Sequence, residues 1–179
     1  MPAWGWALVV IGCVAIVAFV AYRTWRTRNL RSTFGPEYER TVEEQGGRRS
    51  AESDLRDRQR RRSSFDVVPL SPQAREGYAD QWRTVQQRFV DTPADAVREA
   101  DVLVVEVMRE RGYPMDDFEQ RASDISVDHP NVVDHYRKAH TTRERSDQEG
   151  TSTEDLREAF VHYRALFEEL LGERISRAS

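Results

Sequence analysis

Lysine is all but missing from this chain of 179 residues: of 27 basic side chains only Lys138 is not an arginine. GC-rich codon usage accounts for such a bias without selection for phosphate binding, because arginines bind phosphate only where they converge in space. Cysteine is as scarce. Cys13 is single, so no disulfide forms within the chain and a cysteine-based zinc site is excluded. A glycine-rich phosphate loop, a serine nucleophile elbow and a His-Glu-x-x-His pattern are also missing. No residue therefore stands out as catalytic, no cofactor is expected, and an enzyme is the less favoured class.

What the sequence does have is charge sorted along its length. Residues 1–62 carry 12 Arg against 7 acids, a net of +5, whereas residues 63–179 carry 15 basic side chains against 24 acids, a net of −9. A basic proximal part and an acidic distal part suit a protein whose first segment lies at an anionic membrane surface that repels its second. Apolar residues are sorted too. They crowd into residues 3–22 and are sparse over 35–64, so a globular core has to come from beyond residue 65. The remaining length is enough for one independently folding domain.

Residues 3–21 read AWGWALVVIGCVAIVAFVA without a charge, and at the helical rise these nineteen residues just span a hydrocarbon layer. Trp4 and Trp6 at one end, and Tyr22 and Trp25 at the other, are placed as interfacial aromatics. Arg23, Arg26, Arg28 and Arg31 follow with no acid among them, and no Lys or Arg precedes the run. The positive flank stays in the cytoplasm, so the expectation is a single-pass anchor in a bacterial cytoplasmic membrane with the C-terminal domain inside. A cleaved secretory signal fits less well, because its charges belong ahead of the apolar run. Val10-Ile11-Gly12-Cys13 has the form of a lipobox, but eight apolar or small residues follow Cys13 where a lipoprotein signal should have ended.

Three parts are expected: an anchor over 1–22, a basic juxtamembrane stalk over 23–64, and an all-α domain of four to five bundled helices over 65–179. In the stalk, Pro36 with Glu37 and Glu39 starts a helix that Gly46-Gly47 interrupts, and a second helix follows over 51–62. That second helix has only Leu55 as a large apolar residue and is read as a solvated spacer. FDVVPL, residues 65–70, is an extended segment closed by prolines. Ser71-Pro72 and Thr92-Pro93 are matching start signals for helices over 72–90 and 93–111, the second stopped by Gly112. The β-branched run at 102–108 makes a strand the competitor there, and length and caps favour helix. Short helices are expected near 118–125 and from Asp128, as N-cap, to about His140. Residues 141–150, with no large apolar side chain, read as a linker. A dense capping signal at 151–155 opens the last helix, whose seam is Leu156, Phe160, Tyr163, Phe167 and Leu170 and whose stop is Gly172.

Two surfaces are candidates for function. Arg23, Arg26, Arg28 and Arg31, with Arg58, Arg60, Arg61 and Arg62 further along, form basic clusters suited to anionic lipid; they lack the interleaved aromatics of a nucleic-acid surface. Phe160, Tyr163 and Phe167 on the last seam, with Tyr113 in the RGYP turn, are candidates for a protein partner whose identity, like the oligomeric state, the residues leave open. His129, His135 and His140 are spaced by six and five residues, which does not place imidazoles on one helical face for a metal.

Three blocks, LRSTFGPEYERTVEEQGGRRSAESDLRDRQRRR, PLSPQAREGYADQWRTVQQRFVDTPADAVREADVLV and VMRERGYPMDDFEQRASDISVDHPNVVDHYRKAH, occur in this order between residues 30 and 140, within a likeness that covers roughly residues 30–171. The chain resembles in them a bacterial family of single-pass membrane or secreted-like helical proteins. The resemblance implies that QRFVD, RGYP and SVDHP belong to one domain, and it implies no activity, cofactor or site residue. The reading is a membrane-anchored helical interaction or scaffolding module, with an enzyme or stress-related factor having its site in 111–140 as the alternative.

Overall fold

A computed structural model describes residues 3–148 and 150–172, with the side chains of 3–11 and 148 outside the described set. The described residues form helices without strands: α1 (Ala3–Phe34), α2 (Pro36–Glu44), α3 (Arg48–Arg62), α4 (Pro72–Arg88), α5 (Pro93–Glu110), α6 (Phe118–Asp128), α7 (Val133–Gln148) and α8 (Thr153–Leu171). Among the described residues no helix is long and apolar enough to cross a membrane. The expected anchor takes in residues 4–11, whose side chains lie outside that set. The chain divides into two compact units, Met1–Leu55 and Arg56–Ser179.

The first unit is built from three narrow apolar stripes. Leu30 and Phe34 lie one turn apart on α1, Tyr38 follows on α2, and Ala51 and Leu55 lie one turn apart on α3; all are at most 2% exposed. Each large side chain buried this way contributes about 1.5–3 kcal/mol. Glu52 ties the three helices together, its Oε1 accepting from Thr27 Oγ1 at 2.8 Å and from the Tyr38 hydroxyl at 3.2 Å. Gly35 makes the corner between α1 and α2 at φ 47°, ψ −122°, a conformation open to glycine and costly for any side chain. The segment read as a solvated spacer is therefore folded. Ala51 and Leu55 are a two-residue stripe, too thin to register as a face in α3 alone, and they find their complement on α1 and α2.

The second unit is a bundle centred on α5, which packs against α4, α7 and α8, with α6 laid against α7. Ala96, Val97, Ala100, Leu103, Val104, Val107 and Met108 of α5 are buried, which explains an apolar surface broader than one stripe. Ser71 Oγ caps α4 by accepting from Ala74 N–H at 3.1 Å, and Ser152 Oγ caps α8 by accepting from Asp155 N–H at 3.1 Å. The 65–70 segment is extended as read, and Val68 N–H donates to Arg111 O at 2.9 Å. It lies so close to the end of α5 that a Cβ on Gly112 (φ 91°) would sit 2.4 Å from the Asp66 carbonyl oxygen.

Two sequence expectations fail here for physical reasons. Residues 141–148 are not a linker; they extend α7, held by ion pairs instead of apolar contacts. Arg143 pairs with Asp101 of α5 at 3.3 Å and with Asp147 one turn on at 3.2 Å, while Arg98 of α5 reaches Asp147 at 2.9 Å. Asp128 is not an N-cap. It closes α6, where a carboxylate opposes the helix dipole; the Tyr113 hydroxyl donates to it at 2.8 Å and Arg62, with Nε 2.5 Å away, neutralises it there.

Candidate functional site

Helix periodicity places Phe19, Val20, Arg23, Thr24, Thr27, Arg28 and Arg31 along one broad face of α1, and Arg48 joins them from the first turn of α3. Together they line an open groove of about 370 Å³ within the first unit. Its floor is apolar at the Phe19 end and basic at the other. Phe19 and Val20 are 62% and 53% exposed, unusual for side chains of that size.

The arginines of the groove are not equivalent. Arg31 is committed to Glu39 at 2.7 Å and stacks over the Tyr38 ring at 5.1 Å. Arg23, Arg28 and Arg48 have no ion-pair partner among the described residues. Arg26 lies outside the groove. Glu52 of α3 is already engaged by Thr27 and Tyr38; burial, and then Glu52 itself, raise the Tyr38 hydroxyl above its ordinary value and keep it a hydrogen-bond donor. Sequence reading marked Arg23, Arg28 and Arg31 and missed Arg48, which enters only because the α2–α3 turn brings it back beside α1.

The second basic cluster has a different role from the one expected. In the second unit Arg61 Nε donates to Asp124 at 2.9 Å and its Nη2 to Asp116; Arg62 pairs with Asp128; and Arg58 Nη1 donates to Ser126 Oγ at 3.3 Å. Arg60, exposed, pairs with Asp57 at 3.2 Å. The guanidiniums of Arg58, Arg61 and Arg62 bind the end of α3 to α6 and its approach, while Arg60 stays exposed on α3. The charge run in the sequence was visible; the carboxylates that receive it lie more than fifty residues away in the chain.

The partner-surface candidates are likewise interior. Phe160, Tyr163, Phe167 and Tyr113 are between 0% and 7% exposed. Trp82 stacks on Phe160 and Phe167 with ring centroids 5.0 and 4.5 Å away, and Phe65 packs against Tyr113. The heptad-like seam of α8 is filled from within by α4, α5 and α7.

Polar chemistry in the second unit gathers in four places. Tyr163 faces Asp101, which pairs with Arg143; burial and then Asp101 raise the tyrosine hydroxyl far above its ordinary value. His140 stacks on Phe118 with centroids 3.5 Å apart, and burial lowers its pKa. At the end of the bundle Arg111 Nη1 donates to Leu170 O at 3.0 Å and approaches His129, whose pKa is lowered by burial and then by Arg111, while Glu169 lies 3.4 Å from the other ring nitrogen. His135 and His162 meet across α7 and α8 with Nδ1 atoms 2.7 Å apart, a pairing that no local spacing announces. His129, His135 and His140 do not converge, and among the described residues no group of three or more His, Cys, Asp or Glu is placed to hold a metal.

No family model matches the chain, and no curated protein and no solved structure matches it either.

Proposed function

We propose that this protein is a single-pass membrane-anchored module that holds an acidic helical bundle at the cytoplasmic face and serves interaction or scaffolding. The observation that carries the reading is the run of residues 3–21, uncharged and long enough to span, leading within one continuous helix to Arg23, Arg26, Arg28 and Arg31. Positive charge on that flank retains it, and everything beyond it, in the cytoplasm.

Three further features support the reading. Phe19, Val20, Tyr22 and Trp25 are left exposed by the folded part of α1, as lipid-facing and interfacial side chains are. The distal acids, net −9 over residues 63–179, disfavour adhesion of the bundle to anionic lipid and leave its surface open to proteins. That surface includes a shallow groove of about 290 Å³ on α4 and α5, lined by Val85, Val102 and Leu103 with Arg98, Glu99 and Glu106 at its edges.

The test has two parts. Membranes carrying the full chain are washed with alkaline carbonate, and reporters fused to the C-terminus are read on both sides. Retention in the pellet, with a fluorescent protein active and alkaline phosphatase silent, is the expected result; release by carbonate overturns the anchor. Gentle solubilisation of the full chain is then expected to yield a stoichiometric complex, with itself or another protein. A monomer with nothing bound overturns the scaffolding part.

A further inference from the structure

We infer that the groove between α1 and the start of α3 is a binding site for the phosphate headgroup of an anionic phospholipid, with one acyl chain running down past Val20 and Phe19. The inference rests on the reading of residues 3–21 as an anchor, which places those two side chains at the hydrocarbon boundary and the groove above them at headgroup level.

Three observations converge. The lining changes character along the helix axis, from Phe19 and Val20 at one end to Arg23, Thr24, Thr27, Arg28 and Arg31 beyond them, as a phospholipid changes from chain to phosphate. The positive charge is unspent: Arg23, Arg28 and Arg48 have no carboxylate partner among the described residues, whereas Arg31, Arg40, Arg61 and Arg62 all do. Finally, α3 begins with Arg48 and Arg49 and has no acid in its first turn. Basic residues at the positive end of a helix dipole oppose its stability, and the free N–H groups there attract anions. An anion seated beside Arg48 reverses that opposition. A dissolved phosphate would satisfy the charges but not the exposed Phe19 and Val20, and this apolar half is the reason to assign the site to lipid.

Arg26 provides the internal control. It shares the charge and the membrane depth of its neighbours but does not line the groove. Attraction to the bilayer in general counts Arg26 equally with Arg28; a built site does not.

The test uses the full chain in a neutral detergent with equal amounts of phosphatidylglycerol and phosphatidylcholine, and native mass spectrometry counts the lipid retained. Preferential retention of phosphatidylglycerol is expected. Arg23→Gln, Arg28→Gln and Arg48→Gln should each weaken it about fivefold, the factor for one arginine at an anionic surface, and Arg26→Gln should not. Equal retention of the two lipids, no effect of Arg48→Gln, or an equal effect of Arg26→Gln overturns the site. Displacement of phosphatidylglycerol by millimolar inorganic phosphate overturns its assignment to lipid. Circular dichroism checks each variant; if Arg48→Gln loses helix, Arg48→Lys decides, being expected to retain both fold and lipid preference. Carbonate release of the full chain from phosphatidylcholine–phosphatidylglycerol vesicles would remove the anchor and the site together, whereas a carbonate-resistant chain without lipid preference removes the site alone.

Discussion

The Asp124 carboxylate is 1% exposed, and one of its oxygens accepts from Arg61 Nε at 2.9 Å and from Gln120 Nε2 at 3.0 Å. Its other oxygen is buried without a hydrogen-bond partner among the described residues. A buried carboxylate tolerates this because a guanidinium neutralises it; without Arg61 the charge stays in the interior uncompensated. Arg61 is 38% exposed, so solvent screens part of the interaction, and Arg61→Ala should cost about 2 kcal/mol in urea denaturation. Adding Asp124→Asn should restore part of that loss, a coupling that an ordinary surface pair would not show. Burial holds His140 and His129 below the ordinary value of 6.5, so the unfolded chain binds protons that the folded chain refuses. Their stabilising contribution is complete above pH 6.5 and declines as pH falls from there through the lowered values. Thermal melting should reach lower temperatures between pH 7 and pH 5, and His140→Phe, which keeps the stack on Phe118, should flatten part of that slope.

At the scale of elements, the sequence showed helix starts and stops well and the partners of helices poorly. Ser71-Pro72, Thr92-Pro93 and the 151–155 cluster announce α4, α5 and α8 because capping and proline geometry are local chemistry, carried by three or four consecutive residues. What failed was any element whose stability is supplied from a distance. The last two turns of α7 depend on Asp101 and Arg98 of α5, and α3 depends on Leu30, Phe34 and Tyr38. The α8 seam was legible as apolar, but no periodicity distinguishes a stripe that faces its own bundle from one that faces a partner. The distinction is measurable. Phe160→Ala should cost about 3–4 kcal/mol as a core truncation and, since Phe160 stacks on Trp82, change the near-ultraviolet circular dichroism. An interface residue would leave both unchanged. Gly112 tests the joint between the 65–70 segment and α5. Gly112→Ala should destabilise by about 2 kcal/mol or more, because the left-handed backbone disfavours alanine and the new methyl meets the Asp66 carbonyl. Hydrogen exchange at Val68 N–H, which donates to Arg111 O, should accelerate beyond the global change.

For the whole molecule, the two basic clusters that look alike in sequence do different work. In the distal one, Arg61 is paired within the second unit with Asp116 and Asp124, and Arg62 with Asp128, which adds to the bundle. In the proposed anchored arrangement, orientation would come from Arg23, Arg26, Arg28 and Arg31, which lie within ten residues of the apolar run, the range in which positive charge governs topology. Among the described residues only Arg31 of these four has a carboxylate partner, Glu39, and acids count little in that rule, so the proposed retention signal would be nearly undiminished. Replacing all four with Gln should remove it. A C-terminal alkaline phosphatase, silent on the natural chain, should then become active in a fraction of molecules, while replacement with Lys, which preserves charge and alters only geometry, should keep it silent. If the Gln variant stays uniformly silent, orientation is set by the folded bundle resisting export, and the arginines remain only as candidates for lipid. Phosphatase activity on the natural chain itself would place the acidic bundle outside the cytoplasm and remove the basis for its proposed partners.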